Sequence, residues 1–309
     1  MDVLSLAGKR VRAVSIRNIL LATDGSAGAH RALTAAADLS RRSGAALHLV
    51  TAYEFAPSSV LAYAPYIGPE SAWDAFETDA RKLLDNERGR LTALGASVDG
   101  MYVARDPAFN AVMDVAQTVD ADLVVVGSRE LDALRRTLVG SVSEHVVHSV
   151  HRPVLVVRGA ASWPPAQILV GFDGSEGARG AALFAATIAH LYDDSSIELV
   201  HAAPPMSAAA NAYLDPDDEL EMEQRSLQQF AASLELVAGR TVGTAAAVGD
   251  AADALVACAK ERPGASLIAV GTRGLGPVRR MLLGSVSTRL LHTSHGTLLV
   301  VPEHGYPAN

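Results

Sequence analysis

Two kinds of short segment hold the residues best suited to chemistry. The first is Asp-Gly-Ser after an apolar run. It occurs as "LLATDGSAG", which contains Asp24, and as "LVGFDGSEG", which contains Asp173. The second is "GTRGLGPVRRMLLGSVS", Gly271 to Ser287, which follows the apolar "ASLIAV". Glycine where a chain leaves a buried strand signals that something comes close to the backbone, and a phosphate is the candidate. Gly271 and Gly274 permit a turn with exposed amides. Gly284 and Ser285 open a helix whose free N–H groups and positive dipole end suit an anion. Ser285 and Ser287 add hydroxyls. Arg273, Arg279 and Arg280 either neutralise charge there or form a solvated loop face. Asp173 also has two readings. A carboxylate near a helix start is favourable through the dipole alone. It can equally accept a ribose hydroxyl, or help to hold a divalent cation beside phosphates.

The elements that must position these residues come twice. Asp24 corresponds to Asp173, 149 positions on, and Gly127 of "GSRELDALRRTLVGSVS" corresponds to Gly271, 144 positions on. The five-residue difference falls on the divergent middles, "FAPSSVLAYAPYIGPESAW" and "PPMSAAANAYLDPDDEL". These read as variable loops. Each half alternates short apolar runs with helical patterns, which indicates an α/β fold with a parallel sheet covered on both faces. The expected helices are 26–42, 70–94, 107–118, 141–149, 175–191, 216–238, 250–261 and 285–294. "TVGTAAAV" is the least strand-like of the expected strands. Ligands bind such sheets beyond the carboxyl ends of the strands. If the first and fourth strands of a half are neighbours, the two motifs converge on one crevice. The boundaries read as an N-terminal extension (1–17), a first domain (18–158), a linker (159–166), a second domain (167–303) and a tail (304–309). The linker lies in "RGAASWPPAQ", where Trp163 offers an anchor against one domain and two prolines prevent a helix.

Bulk properties narrow the function classes. With 309 residues, 49% of them hydrophobic, the chain can build two real cores at roughly 150 residues per domain. A net charge of −8 argues against general nucleic-acid or anionic-membrane binding. The single cysteine, Cys258, sits in an apolar helical stretch and reads as a buried structural thiol, so a reducing cytoplasm is expected. No run approaches the ~20 apolar residues of a membrane span, and no signal peptide is evident. No Walker A segment occurs, and the Rossmann glycine fingerprint is absent after the first strand. His145, His148 and His151 are spaced by three but lack acidic or cysteine companions, so they read as solvated helix positions rather than a metal site. No nucleophile elbow or general base is identifiable.

G-2x-G-9x-G-[ST] after the fourth strand, with an aspartate after the first, resembles the universal stress protein family in its tandem form. The resemblance covers nearly the whole chain. It implies two Rossmann-like domains, each a five-stranded parallel sheet in the order 3-2-1-4-5, and an ATP site, with Mg²⁺, at the carboxyl ends of strands 1 and 4. In the second half it implies that Gly171, Asp173 and Ala202 face the adenosine. Gly271, Thr272, Arg273, Gly274, Gly284, Ser285, Val286 and Ser287 would wrap the ribose and phosphates. In the first half the matching positions are Ala22, Asp24, Ala52, Gly127, Ser128, Arg129, Gly140, Ser141, Val142 and Ser143. One departure stands out: Glu130 replaces the second motif glycine, and Asp132 follows. A carboxylate there repels phosphate unless Arg135 or Arg136 pairs with it, so weaker binding is expected in the first half. The resemblance further implies pairing of the two halves through their last strands, "PVLVVR" and "TLLVVP". A homodimer and a regulatory protein partner fit the same picture. The expected function is an ATP-binding stress regulator or sensor. The alternatives are a nucleotide-independent interaction protein and a slow ATPase.

Overall fold

A computed structural model describes residues 4–6, 9–11, 14–53, 69–128, 141–149, 151–158, 163–203, 216–261, 266–272, 283–294 and 296–303. The chain forms two compact units. One is Ile16–Arg158; the other is Gly159–Asn309 with Met1–Ser15. Near the N-terminus, β1 (Leu4–Leu6) and β2 (Lys9–Val11) pair antiparallel. The extension expected at 1–17 thus carries a ladder of its own, and the strand inventory exceeds that of the parallel sheets.

The first unit runs β3 (Asn18–Ala22), α1 (Ala27–Ser43), β4 (Ala46–Ala52), α2 (Pro69–Ala93), β5 (Gly100–Ala104), α3 (Ala108–Thr118), β6 (Leu123–Gly127), α4 (Ser141–Ser149) and β7 (Val154–Val157). Within it the strands lie in the order β7-β6-β3-β4-β5, all parallel. The second unit runs β8 (Gln167–Gly171), α5 (Glu176–His190), β9 (Ser196–Ala203), α6 (Pro216–Ala238), β10 (Val242–Val248), α7 (Ala251–Glu261), β11 (Ser266–Gly271), α8 (Ser285–Thr293) and β12 (Thr297–Val301). Its strands lie in the order β10-β9-β8-β11-β12, again parallel.

Burial explains the apolar runs. Ile19, Leu20 and Leu21 of β3 are fully buried, as are Ile168, Leu169 and Val170 of β8, because helices cover both faces of a central strand. The covering helices α1 and α5 are rich in alanine, so they lie close to the sheet. Gly44, at φ 72°, ends α1 and donates its N–H to the Ser40 carbonyl at 2.8 Å. The least strand-like run does form a strand. β10 pairs with β9 over seven residues, from Val242 opposite Ile197 to Val248 opposite Ala203. Its pattern is weak because it has one neighbour within its unit and is only partly covered, which leaves Val248 78% exposed.

Trp163 anchors the second unit's N-terminal end. Its Nε1 donates to the Tyr192 hydroxyl at 3.0 Å, and the two rings meet edge to face. Cys258 is half-buried rather than buried. Among the described residues no helix is long and apolar enough to cross a membrane.

Candidate nucleotide crevice

β3 and β6 are hydrogen-bonded neighbours, and so are β8 and β11. In each half the chain therefore leaves both strands at one carboxyl edge, and the two motifs start side by side.

The Asp-Gly-Ser turns are built alike. Asp24 Oδ1 accepts from the Ser26 N–H at 3.0 Å, and Asp173 Oδ1 accepts from the Ser175 N–H at 3.0 Å. Gly25 and Gly174 take φ values of 72° and 79°, a conformation that suits glycine. Ser26 and Ser175 then cap α1 and α5, accepting from Ala29 N at 3.3 Å and Ala178 N at 3.1 Å. Both aspartates thus set the turn that starts a helix.

The first glycine of the longer motif has a reason that spacing alone did not reveal. A Cβ on Gly127 would stand 2.3 Å from the Gly28 carbonyl oxygen. One on Gly271 would stand 2.5 Å from the Gly177 carbonyl carbon. The close neighbour at these positions is the first turn of α1 or α5. The glycines let a helix start lie on the end of the fourth strand. The residues that follow extend the ladder: Ser128 N donates to Val157 O at 3.1 Å and Thr272 N to Val301 O at 2.8 Å. In the second unit Gly284 N donates to Thr272 O, and the buried Ser287 hydroxyl lies 3.1 Å from Gly284 O. Glu303 N donates to Thr272 Oγ1 at 3.3 Å. Thr272 and Ser287 therefore brace the two ends of the glycine segment. Ser143, the counterpart of Ser287, is equally buried.

In the first unit a cleft of about 160 Å³ opens at this edge. Ala22, Thr23, Asp24, Ser26 and Ala29 line one side. Val50, Thr51 and Ala52 line a second, and Ala108, Ala111 and Val112 of α3 a third. Val126, Gly127 and Ser143 complete it. Five positions expected at the site thus share one cavity: Ala22, Asp24, Ala52, Gly127 and Ser143. The floor is apolar, with a carboxylate and hydroxyls at its side.

A cluster that sequence reasoning missed lies at the ends of β4 and β5, just beyond the residues that line the cleft. Tyr53 follows Ala52 and donates its N–H to Ala104 O at 3.0 Å, tying the ends of β4 and β5 together. Arg105, the next residue, lays its guanidinium 3.4 Å from the centre of the Trp73 ring, and Tyr53 meets the same indole at 5.9 Å. Desolvation, followed by the nearby Glu77, raises the Tyr53 hydroxyl pKa above its ordinary value. Glu77, hydrogen-bonded and ion-paired to Arg81, is held below the usual carboxylate range. The three rim residues come from separate elements and form no motif, so no spacing signal marks them.

The second unit keeps the frame but changes the surroundings. Phe172 stands where the first unit has Thr23. It stacks on Phe230 at 4.6 Å, with the Arg179 guanidinium 5.0 Å from the Phe230 ring. His201 Nδ1 lies 2.9 Å from Phe172 O. A Cβ on Gly171 would meet Leu255 Cδ1 at 3.0 Å. Ala202 is half-buried near the end of β9, and Ser285 and Val286 open α8. Arg273, Gly274, Arg279 and Arg280 lie outside the described residues. So do Arg129, Glu130, Asp132, Arg135, Arg136 and Gly140. Ser141 and Val142 begin α4, and their side chains lie outside the described set. Among the described residues no three His, Cys, Asp or Glu side chains gather as a metal site.

The universal stress protein family model matches residues 15–158 and again 166–302. A universal stress protein of Mycolicibacterium smegmatis is 28% identical over 246 residues, 75% of this chain and 77% of its own. One of Mycobacterium tuberculosis is 33% identical over 199 residues, 59% of this chain and 62% of its own. A solved universal stress protein of Archaeoglobus fulgidus superposes with a TM-score of 0.66 at 19% identity, covering 93% of this chain and 98% of its own; this likeness concerns the fold.

Proposed function

Because the chain belongs to the universal stress protein family in both halves, we propose that it binds an adenine nucleotide and works as a nucleotide-dependent regulator. ATP is the ligand of this reading. The observation that carries it is the first unit's cleft, where residues expected at the site from sequence line a single cavity. The lining fits part of a nucleotide. Alanine and valine side chains at the strand ends suit a planar base, and Asp24 with the nearby hydroxyls suits a ribose. The phosphates would run toward the helix start at Ser141, and in a ligand held by the second unit toward that at Ser285. Mg²⁺ would arrive bound to those phosphates, since the described residues gather no ligand cluster. Occupancy would alter which surfaces the protein presents to a partner or to a second copy of itself.

A second reading is supported by the glycine contacts. Gly127 and Gly271 are explained by helix packing, and Thr272 and Ser287 by loop bracing, so the motif can serve the fold without a nucleotide. Mass analysis of small molecules released from freshly purified full-length protein separates the two readings. Adenine nucleotide in the eluate, with a thermal shift on adding ATP, is the expected result. No nucleotide and no shift leaves the interaction-only reading.

A further inference from the structure

The strand ends next to the first cleft carry chemistry that the corresponding strand ends of the second unit lack. Tyr53 and Arg105 directly follow β4 and β5, whereas β9 and β10 end in Ala203 and Val248. Tyr53 adjoins Ala52, and Arg105 lies three residues before Ala108; both alanines line the cleft. Trp73, one of only two tryptophans in the chain, comes in from α2 to join them. An indole face that already holds a flat, delocalised cation at 3.4 Å is a stacking surface of the kind that nucleobases use. Arg105 is exposed, so leaving the ring returns its guanidinium to water at little cost.

We propose that Trp73 is the stacking wall for the base of the bound nucleotide, and that the base takes the place of the Arg105 guanidinium on the indole. This rests on the nucleotide-binding reading above and goes beyond it by naming which part of the ligand is recognised at the rim. The ligand class is then a planar heteroaromatic base carrying phosphates. Phosphate alone does not engage the rim.

The test uses the full chain with Trp163→Phe, which leaves Trp73 as the sole indole. Titration with ATP is expected to change its fluorescence saturably, with the same midpoint as calorimetry, while inorganic tripolyphosphate leaves it unchanged. Trp73→Leu is expected to weaken ATP binding about tenfold, and Trp73→Phe, which keeps an aromatic face, to retain most of it. Calorimetric ATP binding with no fluorescence change and unaltered affinity in Trp73→Leu would overturn the stacking wall and leave nucleotide binding standing. A fluorescence response to tripolyphosphate equal to that to ATP would also overturn it. No ATP binding by the unaltered chain removes both readings together.

Discussion

Helices α2 and α6 cover the same side of their respective sheets and share four equivalent buried positions. In α2 these are Ala80, Leu84, Glu87 and Leu91; in α6 they are Leu227, Ala231, Leu234 and Ala238, and α6 buries Phe230 and Val237 besides. The spacing is identical, yet the third position is a carboxylate in one and leucine in the other. Glu87 is 1% exposed. Its Oε1 lies 3.2 Å from His30 Nε2 and 3.5 Å from Arg90 Nε, while Oε2 is buried without a hydrogen-bond partner. Leu234 shows that the architecture does not require this polarity. What the fold requires is the spacing; what fills it has diverged. The crevice floors teach the same lesson more gently. The fifth residues of α3 and α7 are Val112 and Leu255, and they accompany Ala22 and Gly171. The strand residue is one carbon smaller in the second unit and the helix residue one carbon larger.

The shared frame is the place to expect the largest losses. Gly127→Ala and Gly271→Ala each drive a Cβ into backbone, which cannot move aside cheaply. Each is expected to cost about 2–3 kcal/mol, in its own unit. Hydrogen exchange read separately for residues 16–158 and 163–303 measures this. A loss in one unit and none in the other would break the equivalence of the two frames. The diverged filling predicts a smaller effect of opposite sign. Glu87→Leu installs the second unit's solution and is expected to be neutral or to stabilise by about 1–2 kcal/mol. Urea unfolding checks it, and a marked loss would mean that the buried carboxylate has a structural partner the fold depends on. The smallest effect tests the exchanged carbon. Gly171→Ala alone is expected to cost about 1 kcal/mol against Leu255, and Leu255→Val in the same chain to recover most of it. Additive losses in that double-mutant cycle would show that the two positions do not share a space.

Local chemistry made much of the molecule legible in the sequence. Asp-Gly-Ser announces a turn and a helix cap, because its hydrogen bonds close within three residues. Continuous apolar runs announce central strands. β10 was harder to read because its place depends on β9, not on its own composition. The packing role of Gly127 and Gly271 was hidden for a similar reason. Glycine signals a close approach without saying by what, and here it is a helix start about a hundred residues away in sequence. The rim of Tyr53, Trp73 and Arg105 was invisible because single residues from three elements carry no spacing. The expectation that Glu130 weakens the first site concerns residues outside those described. The rim nevertheless gives the first half a stacking surface at the strand ends where the second has Ala203 and Val248.

The bond from Trp163 to Tyr192 bears on how the chain is best divided. The family match to the second half opens at residue 166, three residues beyond Trp163. A gene cut at that point would delete the indole and with it the hydrogen bond and edge-to-face contact it makes with Tyr192. A cut placed before Trp163 keeps the clasp, so a separately produced second half should begin there.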